Sequence, residues 1–256
     1  MTGPGGSVGD GWAQARMTLH RVAAHVLGRR RYQVTGRFGL RASPGGFATP
    51  AFSPQGGHPG ALEVLRVSDT LLVRESEGRA SAARLDGSSL AQLAAFASAD
   101  LSAPFSCGED GPALGDPDEP LALEPAPARA LASWYCFGSA VLDQLVAHLP
   151  SGAWASDVQL WPEHFDLATS VGAAGAGLLD AGFSPGDRFE GSPYLYLSVA
   201  EPPPGPDPSF WNAPFGALRR RDQVLGSPDP EQAALDFLLA GVAHVVRASR
   251  PGTKGA

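Results

Sequence analysis

Lysine is almost missing from this chain: Lys254 is the only one in 256 residues, so the basic charge rests on arginine. With the richness in Ala, Gly and Pro, that bias points to a GC-rich coding sequence rather than to a function. Charged residues of both signs make up only 18%, and the net charge is −7. Soluble domains average roughly 25% charged residues. A net negative chain argues against duplex nucleic acid as a partner, because counterion release needs a basic face. Cysteine is scarce, at 2 residues. Cys107 falls in a Gly/Asp-rich loop and Cys136 in an apolar helical pattern, so a bridge between them is not expected. The absence of CxxC removes the usual zinc and redox spacings. No apolar run approaches the roughly 18 residues that span a bilayer. The start, MTGPGGSVGDG, has neither a basic opening nor an apolar core, so no secretory signal is expected and the chain reads as cytoplasmic and reduced. There is no GxSxG elbow, Walker A loop, HExxH or GxGxxG between strand and helix. Gly39–Gly46 is glycine-rich, but its Pro44 and lack of lysine argue against a phosphate cradle.

Glycine and proline are abundant, with 32 and 24 residues, which predicts long loops. Residues 1–11 read as a flexible leader. Trp12, Ala15, Leu19, Val22 and Val26 recur at helical spacing, and Arg29-Arg30-Arg31 would close that helix at its negative end. His20 and His25, five apart, share no α-helical face and read as surface or boundary residues. Val34–Ala42 alternates like a strand, and Ser43-Pro44-Gly45-Gly46 breaks it. Residues 62–66, 70–74 and 79–85 read as strands, and Ser88 as the cap of a short helix. Residues 100–124 lack periodicity and read as a loop or linker between an N-terminal half (12–99) and a C-terminal half (125–249), or as a surface crossing of one compact domain. Residues 125–149 carry the strongest helical stripe. Strands follow over 157–165, 167–171, 177–183 and 194–199, then a Pro-rich loop over 201–208, a last helix from Asp229-Pro230-Glu231, and a tail over 250–256. The expected class is α+β: two groups of short antiparallel strands packed with three long helices.

The densest chemistry lies in Trp161-Pro162-Glu163-His164-Phe165-Asp166. If residues 158–166 are extended, His164 and Asp166 share one face while Trp161 and Glu163 take the other. His164 and Asp166 then form a metal-binding or hydrogen-bonded pair. Pro162 implies an edge or bulge just before them. A divalent metal at His164 and Asp166 needs a third ligand, for which Asp187 or Glu190 is the candidate. A purely structural reading stands beside this: Asp166 caps a turn, His164 makes a buried hydrogen bond, and the aromatics are core. Tyr194, Tyr196, Trp211 and Asn212 could add aromatic and polar groups to a ligand-binding wall with Trp161. Arg219-Arg220-Arg221 is a basic run that faces solvent or meets an anion.

Leu160–Ala168, Gly182-Phe183-Ser184-Pro185-Gly186-Asp187, Pro193-Tyr194-Leu195-Tyr196 and Gly39–Phe47 together resemble blocks of an uncharacterised group of actinobacterial proteins, in the same order. The likeness covers most of residues 12–247. A looser likeness exists to a domain of unknown function with a Trp…Phe-Asp-Leu-Ala segment. The resemblance implies a family and brings no activity with it.

Three functions are consistent with these residues. The first is a small-molecule-binding protein with a pocket lined by Trp161, Tyr194, Tyr196, Trp211 and Asn212. The second is a metal-assisted or His-based hydrolase-like enzyme using His164, Asp166 and Glu163. The third is a protein-interaction module built on exposed aromatics.

Overall fold

A computed structural model describes residues 11–54, 60–173, 177–200 and 207–248. The expected leader, the Pro-rich 201–208 loop and the tail lie wholly or largely outside the described residues. The chain is α+β, and its described residues form two antiparallel sheets and three long helical runs accompanied by two short helices. It divides into two compact units, one made of Met1–Cys136 with Gln159–Asp166, the other of Phe137–Val158 with Leu167–Ala256.

Unit one opens with α1 (Trp12–Val22), which buries Trp12, Ala15, Leu19 and Val22. The helix then widens into a π-helical stretch, Ala23–Gly28, and resumes as α2 (Arg29–Thr35), ending at Gly36 in the left-handed region with φ 71°. The arginine triplet therefore does not terminate the run. Arg29 donates to the carbonyls of Asp100, Leu101 and Ala103, Arg30 pairs with Glu63, and Arg31 donates to the Gly39 carbonyl. Because the helix continues, it absorbs Val34 and Thr35, and only β1 (Arg41–Ser43) remains of the strand expected over 34–42.

β1, β2 (Gly46–Ala48), β3 (Glu63–Ser68), β4 (Leu71–Ser76) and β5 (Arg79–Arg84) form a 5-stranded antiparallel sheet in chain order. β3 alternates as its sequence predicts, with Leu65 and Val67 inside, yet its first inward residue is a carboxylate. Glu63 is fully buried and is held by Arg30 at 3.0 Å and Arg74 at 2.8 Å. A buried charge persists only with such pairing. α3 (Leu90–Ala97) starts one residue later than its composition suggests. Ser89, not Ser88, is the cap, accepting from the Gln92 N–H while the Gln92 side chain accepts from the Ser89 N–H.

Residues 100–124 contain no regular element, and they belong to unit one. Backbone N–H groups of Gly87 and Ala91 reach the Leu121 and Pro117 carbonyls, and side chains of the first helical run satisfy others. His25 reaches Pro112 at 2.7 Å, Arg21 reaches Leu114 and Asp116, and Thr18 reaches Ala122.

α4 (Pro125–Ala147) supplies residues to both units, with Leu131, Trp134 and Tyr135 buried. β6 (Ala153–Ala155) follows, then β7 (Gln159–Trp161), whose Leu160 makes a reciprocal backbone bridge with Leu40 in unit one. Unit two contains β8 (Asp166–Ala173) from Leu167 onward, β9 (Leu179–Ser184), β10 (Tyr194–Val199) and β11 (Gly216–Arg220), in the antiparallel order β11-β10-β9-β8-β6. β6 and β11 carry too little alternation to be read from sequence. α5 (Arg221–Leu225) and α6 (Pro230–Ala248) complete the unit. Two glycines set how closely helices approach this sheet. A Cβ on Gly138 of α4 would lie 2.7 Å from the Phe183 ring, and one on Gly241 of α6 would lie 2.1 Å from Leu197. Among the described residues no helix is long and apolar enough to cross a membrane.

Candidate functional site

The segment 158–166 is not continuously extended. Pro162 lacks an N–H for a ladder, and after β7 the chain makes a tight turn over 162–165 before β8 begins at Asp166. The Phe165 N–H closes the turn on the Trp161 carbonyl at 2.7 Å, and Phe165 sits in the left-handed region with φ 57°. That conformation is costly for a bulky residue, and packing enforces it. The Phe165 ring is 1% exposed, stacks on His20 and meets Phe47 and Tyr135 edge-on. The Tyr135 hydroxyl donates to the Phe165 carbonyl. Burial, and next the charge of Asp166, push the Tyr135 phenol well above its ordinary value, so it remains a neutral donor.

The turn replaces the alternation expected of a strand. The half-buried Glu163 and the exposed His164 now stand side by side, while Asp166 is 6% exposed. The Pro162 carbonyl is the anchor. It accepts from His20 Nε2 at 2.8 Å and from the Cys107 thiol at 3.7 Å. His20 is thus a half-buried boundary residue, while His25 is buried, against the surface or boundary reading. His20 reaches the Pro162 carbonyl, while His25, within the π-helical stretch, reaches that of Pro112. Burial, opposed by the hydrogen bond to Pro162, lowers the His20 pKa to about 4.

Asp110, from the 100–124 segment, joins the outer face. One ligand atom each from Asp110, Glu163 and His164 falls within 4.8 Å of the others. His164 Nδ1 is 4.0 Å from Asp110 Oδ2, and Nε2 is 4.0 Å from Glu163 Oε2. Gly108 makes this possible: with φ 136°, it has no Cβ where one would lie 1.8 Å from the Glu163 carboxylate. An O,O,N set suits zinc, manganese or iron. Bond lengths of about 2.0–2.2 Å place ligand atoms around one ion roughly 3 Å apart, a closure that exposed side chains can make by rotamer change.

Beside the cluster is a cleft of about 240 Å³ whose walls include His25, Arg29, Phe105, Cys107 and Gly108. Trp161 connects to it through aromatic contacts, with Phe38 at 6.5 Å and then Phe105 at 6.3 Å.

No protein-family model, curated protein or solved structure matches this chain.

The other residues singled out by sequence lie in unit two and organise its loops and sheet. Asp187 accepts from the backbone N–H groups of Phe189 and Glu190 and from the Tyr194 hydroxyl. Glu190 accepts from Ser192 N–H and pairs with Arg220, and both hold its carboxyl below the usual range. Tyr194 and Tyr196 stand together, centroids 6.0 Å apart, and the Tyr196 ring covers Gly182. Trp211 donates to His244 Nδ1 at 3.2 Å, and the Asn212 amide bridges both backbone groups of Leu218. Of the arginine run, Arg219 lies over the Phe237 ring, Arg220 is exposed with its ion pair, and Arg221 is buried.

Sequence reasoning did not reach Asp110 or Gly108, and it read His25 as a surface or boundary residue and Arg29 as the close of a helix. His25 and Arg29 stand four apart, and Cys107-Gly108-Glu109-Asp110-Gly111 is a compact polar loop. Neither feature is distinctive without knowing that the two segments meet.

Proposed function

We propose that the protein binds a divalent cation at Asp110, Glu163 and His164 and uses it to hold a small molecule at the neighbouring cleft. The observation that carries this is the convergence of one imidazole and two carboxylates from segments more than fifty residues apart, within 4.8 Å. Three protein ligands leave positions on the ion for water or a ligand. The cleft, with Phe105 on its wall and the Phe38–Trp161 pair next to it, supplies the surface a bound molecule needs. Beside the cluster the buried thiol of Cys107 is pushed upward in pKa, first by burial and also by Glu163, which leaves it a poor nucleophile.

Calorimetric titration of chelator-treated protein with Mn²⁺ and Zn²⁺ tests the reading. One saturable site is expected, lost in Asp110→Asn, Glu163→Gln and His164→Ala. Wild-type heats equal to those of the three variants would remove it.

A further inference from the structure

Arg29 carries a buried charge that no carboxylate pairs directly among the described residues. It is 4% exposed, yet among the described residues it forms no ion pair. Its Nη1 is occupied by the carbonyls of Asp100, Leu101 and Ala103, the last at 2.7 Å. Nε is buried without a partner, and Nη2 makes no hydrogen bond among the described residues. The guanidinium stacks over Phe105, 5.0 Å from its centroid, and both residues line the cleft. His25, on the same wall, is 7% exposed. Its Nε2–H is given to the Pro112 carbonyl, and its buried Nδ1 has no partner.

Buried arginine is ordinarily paired with a carboxylate, because desolvating a guanidinium is expensive and its fork matches an oxyanion. Carbonyl dipoles meet part of that need here. The charge is opposed by Asp100 only beyond ion-pair distance, because the exposed Asp100 carboxylate accepts from Ser102 instead. The other titratable groups lining the cleft do not supply an anion: His25 is held below its ordinary pKa, mainly by burial, and the Cys107 thiol above its own. The cavity volume, about 240 Å³, is below the roughly 300–1,000 Å³ of pockets for drug-sized ligands. A small ligand of negative charge fits both the size and the sign.

We infer that the Arg29 cleft binds a small oxyanion, either a free ion such as phosphate or the phosphoryl end of a larger molecule. This deepens the proposed binding role and rests on that reading only for the cation at the rim. The two sites adjoin at Gly108, which lines the cleft and contacts Glu163. Asp110 and Glu163 repel an anion when bare, so a cation on them strengthens oxyanion binding, and linkage requires the reverse as well.

The test is a titration of the full chain with inorganic phosphate, followed by backbone amide shifts in ¹⁵N spectra, first with chelator and then with Mg²⁺. Saturable shifts at Gly108 and Gly111 are expected in both, with tighter binding in Mg²⁺. Arg29→Met should weaken binding at least tenfold. Since Arg29 also ties down residues 100–103, a second variant avoids the fold. Ser106 makes its hydroxyl contacts only with Gly108 backbone and is exposed at the cleft. Ser106→Asp keeps an acceptor for the Gly108 N–H and adds a negative charge, and it should also cost at least tenfold. Phenyl phosphate separates the two sources: tighter binding than phosphate assigns a phosphoryl end, exclusion assigns a free ion, and either ranking sustains an oxyanion site. Phosphate binding that disappears with chelator or with His164→Ala, while Ser106→Asp leaves it unchanged, would overturn the inference and leave the cation reading standing. An absence of saturable shifts with and without Mg²⁺ overturns it too.

Discussion

The His20 ring lies flat against the Phe165 ring, centroids 5.0 Å apart and planes 7° from parallel. One imidazole thereby supports a left-handed aromatic residue and, through Nε2, fixes the carbonyl of Pro162 that begins the turn. The half-buried Glu163 and the exposed His164 are presented by a turn whose geometry is set from inside.

That support makes stability depend on pH. Burial lowers His20 from 6.5 to about 4. Between those values the unfolded chain binds more protons than the folded one. The stabilisation is therefore complete above about pH 6.5 and is lost as the pH falls toward 4. The magnitude is on the order of 2–3 kcal/mol. Urea melts in chelator from pH 7.5 to 4.5 should show this decline in wild type and a shallower one in His20→Gln. A residual slope is expected from His25, which burial also lowers. Identical slopes in the two proteins would refute the assignment.

Glu63 gives a prediction within the first sheet. Removing its carboxylate leaves Arg30 and Arg74 facing each other in a buried site. Glu63→Ala should cost about 3–5 kcal/mol. Arg30→Ala should cost less, since Arg74 still neutralises the carboxylate. Chemical denaturation of both variants checks the ranking, and equal losses would contradict it.

Much of this frame is legible in the sequence, and the reasons for the rest are physical. The stripe Trp12, Ala15, Leu19, Val22 and the alternation of Leu65 and Val67 report one buried face each, so period alone finds them. Glu63 obeys the same period with the wrong polarity, because its partners lie 33 and 11 residues away. The helical run past Gly28 is hidden by Arg29-Arg30-Arg31, which resemble a C-terminus until their distant acceptors are known. At 162–165 the proline is visible, but the positive φ of Phe165 depends on His20, Phe47 and Tyr135, none of them local. For the same reason sequence finds Glu163 and His164 and misses Asp110, an exposed loop carboxylate marked only by what it meets.

Gly108 offers a test of how the cluster is assembled. A methyl group there would meet the Glu163 carboxylate at 1.8 Å, in a backbone region that disfavours side chains. Gly108→Ala should displace Glu163 and weaken Mn²⁺ binding at least tenfold. Gly78→Ala is the control: it has a positive φ of 73° with open space around it, so it carries backbone strain without a nearby ligand. Its Mn²⁺ affinity should equal that of wild type. Equal affinities for all three proteins in calorimetry would mean that Glu163 is not a ligand.

The block Glu163-His164-Phe165-Asp166 should separate into residues that serve the fold and residues that serve a ligand. The His164 side chain is 55% exposed and that of Glu163 30%, and the cluster's His164–Asp110 and His164–Glu163 approaches are no closer than 4.0 Å. Substitutions at such positions usually stay within about 0.5 kcal/mol. His164→Ala and Glu163→Gln are therefore expected to melt within about a degree or two of wild type in chelator, while losing the stabilisation that Mn²⁺ gives the wild-type protein. Phe165→Ala removes a ring that is 1% exposed and should cost about 3–5 kcal/mol. Asp166 is 6% exposed, and Asp166→Ala strips a buried polar group from its surroundings at a cost of about 1–3 kcal/mol, a shift of several degrees. Thermal melts of the four variants with and without Mn²⁺ decide the division. If Asp166→Ala melts like wild type in chelator yet abolishes the Mn²⁺ effect, Asp166 is a ligand after all and the cation sits deeper than the outer face of the turn.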